Sequence, residues 1–172
     1  MISRYSLIAV AAAVILAIPA VAFAQIEECP YIENPAHREP LSKQMKERMI
    51  ELCIEEKKKD FDRMVERTEE LAKISNEIEE SFVEHNALSK EDREKLDKAE
   101  ELLSKIRKEL RADDDDDDKD KPKSVSDAVK QLQETTAELL EEIKKTTRHT
   151  ISAVAIQSSN TVLRLVKFLR FN

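Results

Sequence analysis

From Phe61 onward, apolar or small side chains recur at steps of three and four: Phe61, Met64, Thr68, Leu71, Ser75, Ile78, Phe82 and His85. That is the spacing of a helical seam packed along one neighbour. The pattern reaches back past a Lys57-Lys58-Lys59 break to Cys53, Leu52, Met49, Met45 and Leu41. A helix is therefore predicted from Leu41 to His85, opened by Pro40-Leu41-Ser42 and closed by Asn86 in the left-handed conformation usually given to Gly. A second seam runs through Leu96, Ala99, Leu103, Ile106 and Leu110. Ser89 with Asp92 supplies a capping-box start for it. The short connection between the two forces them antiparallel. Residues 41–111 thus read as an antiparallel, coiled-coil-like hairpin. The first half of its first helix, 41–60, is left without a partner.

A third pattern begins at Ser124, again with an acid three residues on, Asp127. Its seam is Val125, Val129, Leu132, Thr136, Leu139 and Ile143. The step from Ile143 to Thr147 is a second consecutive four, a stutter that relaxes a supercoil. The periodicity then resumes through Ile151, Val154, Ser158, Val162, Leu165 and Phe168. The expectation is one long C-terminal amphipathic helix over 124–171.

Composition sharpens this to an all-α chain. There is no Gly among 172 residues, and 38% are charged. Tight hairpins and phosphate-cradling loops need Gly at positive φ, so β-sandwiches, Rossmann folds and P-loops are all disfavoured. Between the hairpin and the last helix, residues 112–123 hold six consecutive Asp, Asp113 to Asp118, then Lys-Asp-Lys-Pro-Lys. Repulsion, poor helix propensity and Pro122 predict a solvated, disordered linker. The run offers calcium many oxygens, but nothing orders them as an EF-hand loop does, so it reads as linker.

The N-terminus reads as a secretory leader over residues 1–24. Arg4 precedes an apolar run from Leu7 to Ile18, and Ala22-Phe23-Ala24 is a small-x-small cleavage site. The run is too short to span a membrane. The expected mature chain starts at Gln25 and is exported, either periplasmic or secreted. Residues 25–40 form an extended arm, with prolines at 30, 35 and 40. Cys29 and Cys53 are the only cysteines, and an oxidising compartment favours a disulfide between them. A loop of that length is worth about 3 kcal/mol in chain entropy. A metal site of Cys29, His37 and Cys53 matches no compact zinc spacing.

Charge is uneven along the chain. The net charge is −7, yet after Glu142 there is no acid and there are six basic side chains: Lys144, Lys145, Arg148, Arg164, Lys167 and Arg170. Within that region Thr150 to Leu163 carries no charge at all. Its small and hydroxylated side chains allow close helix contact on more than one side. Arg164, Lys167 and Arg170 then lie on one arc among apolar residues, a cationic amphipathic tail suited to an anionic membrane surface or a partner groove. The alternative is that this tail packs on the uncovered 41–60 stretch, facing Glu47, Glu51 and Glu55.

No catalytic, metal or phosphate-loop motif occurs, and no cofactor is implied. The three histidines, His37, His85 and His149, are scattered, and His85 reads as a semi-buried seam residue. An acidic chain with no Trp and two Tyr is a poor nucleic-acid binder. These features predict a non-enzymatic, exported protein that acts by binding, without a small-molecule substrate. The expected contact surface is Ile151, Val154, Ser158, Val162, Arg164, Leu165, Lys167, Phe168, Arg170 and Phe171. Its partner would be a second copy, an envelope protein or anionic lipid. The competing expectation is a holdase-like periplasmic chaperone.

Overall fold

The computed structural model describes residues 42–113, 122–147, 150 and 152–171. The leader, the arm with Cys29 and His37, Asp114 to Asp118, His149 and Ile151 lie outside the described residues. All regular structure in the described part is helical: α1 (Lys43–His85), α2 (Lys90–Glu109), α3 (Val125–Lys145) and α4 (Ala153–Phe171). No described helix is long and apolar enough to cross a membrane.

The hairpin forms as its caps dictate. Ser42 Oγ accepts the Met45 amide, opening α1. Asn86 closes it at φ 51°, with its amide on the Phe82 carbonyl. Ser89 and Asp92 cap α2 reciprocally: the Asp92 amide donates to Ser89 Oγ, and the Ser89 amide donates to Asp92 Oδ2 at 2.8 Å. The same oxygen accepts from the Ser81 hydroxyl of α1 at 2.9 Å, which ties the cap to the neighbouring helix. At the other end Arg111 takes φ 52°. The Ala112 amide there reaches back to the Arg107 carbonyl, so a non-Gly residue fills the left-handed position of a Schellman turn.

Asp92 is 1% exposed. Burial pushes its carboxyl up, but the hydrogen bonds from Ser89 and Ser81 and the nearby Lys95 outweigh that and hold the pKa below the ordinary aspartate value. A depressed folded-state pKa means that the stabilisation is complete above the unfolded pKa of about 3.9 and is lost as pH falls through the lower folded value. Asp92→Asn will therefore lower stability by about 1–2 kcal/mol at neutral pH. It will also flatten the acid limb of the stability curve below pH ~4, read by urea unfolding across pH.

The C-terminal region differs from the expected single helix. It is two helices folded back on each other, and the break falls where the seam stutters. Thr146 leaves the helix with ψ 161°, and its hydroxyl donates to the Ile143 carbonyl. The hydroxyls of Thr147 and Thr150 are 3.1 Å apart. Ser152 Oγ accepts the Ala155 amide and so caps α4. Clustered β-branched threonines, which favour extended backbone, and a fresh serine cap end one helix and start the next without Gly or Pro.

The turn completes a four-helix bundle. α1 packs on α2 and α3, α4 packs on α3 and α2, and the backbones of α1 and α4, like those of α2 and α3, stay apart across the diagonal. Cross-helix pairs fix the directions. Arg67 with Glu109 and Lys95 with Glu77 set α2 antiparallel to α1. Lys144 with Glu69, at 2.6 Å, and Ser75 with Thr136, at 3.2 Å, set α3 antiparallel to α1. Arg107 with Asn160 and Arg170 with Asp97 set α4 antiparallel to α2. α2 and α3 therefore run parallel on opposite corners. The chain between 109 and 125 joins opposite ends of a bundle about 30 Å long, by ~1.5 Å per helical residue.

One continuous core holds the four together. Leu71, Ile78, Leu96, Leu103, Leu132, Leu139, Leu165 and Leu169 are fully or nearly fully buried. Ala99, Ala128 and Ala155, each with no exposed surface, let the helices approach closely. Ser75 and Thr136 form a small polar layer within the core, and both hydroxyls are satisfied by carbonyls four residues back in their own helices.

Candidate binding surface

α1 is twice as long as its partners. The shared core reaches back along α1 to Met64, with Phe61 packed against it. Residues 43–60 therefore project beyond the bundle as a stalk about 27 Å long, by ~1.5 Å per residue. Leaving this stretch without a helical neighbour agrees with the seam pattern. The packing of the C-terminal tail on it does not occur: α4 lies beside α3 and α2, and its C-terminal end is at the far end of the bundle from the stalk. Arg170 instead pairs with Asp97, at 2.8 Å, and with Glu100, both on α2. α2 offers carboxylates level with the end of α4, whereas Glu47, Glu51 and Glu55 lie beyond the opposite end of the bundle.

The stalk is amphipathic. At ~100° per residue, Leu52, Met45, Met49, Cys53, Ile50 and Ile54 sweep an arc of about 200° centred on Cys53. Gln44, Glu47, Arg48, Glu51, Glu55, Lys58 and Lys59 fill the other side, and all are exposed; Lys43 and Lys46 fall within the arc, and beyond Ile54 the same side carries Glu56, Lys57 and Asp60. Met45 is 52% exposed, Ile50 40%, Leu52 55% and Ile54 42%. These are four of the seven exposed large apolar residues among the described positions, gathered within ten residues. Single exposed apolar side chains need no explanation, but several gathered on one helix face make a candidate contact surface. Cys53, at its centre, is only 7% exposed.

A cleft of about 520 Å³ lies at the root of the stalk, past the charged turn of Glu56, Lys57 and Asp60. Phe61, Met64 and Leu110 line it together with Lys57, Asp60, Lys108, Glu109, Arg111 and the α3–α4 threonines, so it is mixed in character.

No family model, curated protein or solved structure matches the chain. The reading of the surface therefore rests on its geometry.

The contact residues expected in the C-terminal helix are divided by the fold. Ser158, Val162 and Leu165 face inward and are buried in the chain's own core. Arg170 is held by α2. Lys167 and Phe171 face outward on α4, Phe171 84% exposed, while Arg164 is half-buried and Phe168 is half-buried against the core. Val154 is exposed near the α3–α4 turn. Ile151 lies outside the described residues. The uncharged window has a structural cause. α4 sits in the angle between α3 and α2, so Ala155, Ser158, Ser159, Asn160 and Val162 are buried on two sides.

His85 is a smaller correction. It is exposed, with Nδ1 2.9 Å from the Ser81 carbonyl, and the buried seam of α1 ends at Phe82. Among the described residues no three His, Cys, Asp or Glu side chains cluster as a metal site. The spacing of Met45, Met49, Leu52 and Cys53 marks 41–60 as a stretch in need of cover, and the chain's own tail was one of the two ways to supply it.

Proposed function

We propose that this is an exported, non-enzymatic helical protein that acts by binding, with the apolar face of the α1 stalk as its contact surface. The bundle supports the stalk, and the stalk does the binding. The observation that carries this reading is the concentration of exposed Met45, Ile50, Leu52 and Ile54 on one side of a helix that projects past the other described helices.

The partner best fitted to that face is an apolar stretch of another polypeptide. The unbranched methionines at 45 and 49 adapt to many shapes, which favours tolerant over sequence-specific recognition. The acidic balance of the chain, −7 overall, keeps such a complex soluble. That is holdase-like behaviour: apolar segments are covered while the charged side of the stalk and the bundle remain in water. Export, with cleavage after Ala24, places this action in the periplasm or outside the cell, and a Cys29–Cys53 disulfide belongs to the same reading.

The test is suppression of aggregation of a reduced, unfolding client protein at stoichiometric amounts. The mature protein is expected to suppress it, and Leu52→Glu is expected to fail while keeping the same helix content and melting temperature. Equal suppression by both proteins would remove the stalk as the surface.

A further inference from the structure

The half of the stalk face nearest Ser42 carries charge of one sign. Lys46 falls between Met49 and Ile50 on the helical projection, close to the middle of the apolar arc, and Lys43 lies beside it one turn nearer Ser42. Both are exposed, and no carboxylate enters the arc before Glu56. Many lysines of these helices stand one turn from a carboxylate, as Lys59 does with Glu55, Lys73 with Glu77 and Lys130 with Glu134. Lys46 has Ser42, Lys43, Met49 and Ile50 at those positions, and no described side chain pairs with it. Lys43 meets Glu47 only at 3.9 Å, with 90% of its side chain in water. We infer that the stalk face takes apolar polypeptide segments that carry acidic side chains at one end, with Lys46 and Lys43 reading that charge. The inference rests on the proposed function and names the clients that the face prefers.

Charge complementarity carries it. A segment seated on Met45, Ile50, Leu52 and Ile54 covers the surroundings of Lys46, which is one turn from Met49 and Ile50. An ammonium group that is covered without a partner costs free energy, whereas a carboxylate of the client removes that cost and adds an attraction. A basic flank would meet two like charges. The preference runs against the chain as a whole, whose net charge of −7 by itself favours basic clients. The stalk departs from that balance: residues 42–60 hold six basic and five acidic side chains.

A polypeptide fits this face better than an anionic lipid surface does. The exposed apolar residues run from Met45 to Ile54, about 14 Å at ~1.5 Å per residue. Glu56 and Asp60 follow on the same side. A bilayer laid along the stalk would press these carboxylates against anionic headgroups, while a short segment ends before them.

The experiment is fluorescence anisotropy on the mature chain with three labelled peptides. They share one apolar core of Leu, Phe and Ala, and one end is Asp-Asp, Asn-Asn or Lys-Lys. At low salt the Asp-Asp peptide should bind about tenfold more tightly than the Lys-Lys peptide, the scale of exposed attraction exchanged for repulsion at two positions. The ratio should fall toward one at about 0.5 M salt, where screening is complete within a few Å. It should drop to about threefold in Lys46→Gln and further in the double variant with Lys43→Gln. Both positions are exposed, and circular dichroism checks that the helix is kept. A protein that binds the Asn-Asn peptide but binds Asp-Asp and Lys-Lys equally, or Lys-Lys more tightly, would overturn the inference and leave the function. A tenfold ratio unchanged in the double variant would do the same. Binding of none of the three peptides would remove the function, and the inference with it. Binding of phosphatidylglycerol vesicles that displaces the peptides would assign the face to a membrane surface and overturn the inference.

Discussion

Leu165→Ala will destabilise the protein by about 2–5 kcal/mol, while Phe171→Ala on the same helix will change stability by less than ~0.5 kcal/mol. Leu165 is 2% exposed and belongs to the shared core, whereas Phe171 is 84% exposed. The contrast follows from where α4 sits. Its inner face is the fourth wall of the bundle, against α3 and α2. Truncating Leu165 leaves a cavity between three helices that cannot all close inward, so the cost includes lost contacts as well as lost transfer energy. Were the C-terminal helix a free amphipathic tail, both substitutions would be nearly silent. Urea unfolding of the two variants measures the difference, and the slope of the transition should be unchanged if only stability is affected.

The second large effect concerns binding. Leu52→Glu should weaken client binding more than tenfold without a loss of stability. Leu52 is exposed and touches no part of the core, so the folded chain tolerates a charge there. In a complex the same carboxylate would have to be stripped of water against an apolar partner, which costs several kcal/mol unless a cation meets it. The wild-type gain is of comparable scale: burying the exposed parts of four aliphatic side chains yields on the order of 1 kcal/mol each. A matching substitution at the far end of the bundle, Val83→Glu, is the control, because Val83 is equally apolar and 74% exposed but isolated. It should leave binding intact.

Much of this architecture is legible in the sequence, for local reasons. Ser42, Ser89, Asp92, Ser124 and Asn86 mark helix ends by hydrogen bonds made within three or four residues, so their spacing alone reveals them. The seam of α1 from Met64 to Phe82 is buried as its steps of three and four require. The break at 146–152 is harder to see. Thr146 and Thr147 do not forbid a helix, and what stops it is the stability of the returned α4, a tertiary effect. The stutter at Ile143 and the lone cap at Ser152 were its only local traces.

Partner choice was the least legible feature. A heptad seam says that a helix needs a neighbour and does not say which one. Both α1 residues 43–60 and α4 needed cover, and pairing them was economical. The structure instead satisfies α4 twice, through Asn160 to Arg107 and Arg170 to Asp97, and leaves the stalk outside the bundle. The two-sided burial of Ser159 and Asn160 was foreshadowed by the missing charges of Thr150 to Leu163. What that window could not reveal was that the demand would be met entirely within the chain.

The account's central claim is that the working surface is the stalk and not the outward side of α4. Site-specific photo-cross-linking tests it most directly. A photoreactive amino acid is placed singly at Leu52, Val83, Val154 or Lys167, and the protein is irradiated with an unfolding client. The account predicts client adducts from position 52 and none above background from 83, 154 or 167. Adducts from 154 or 167, with none from 52, would contradict it.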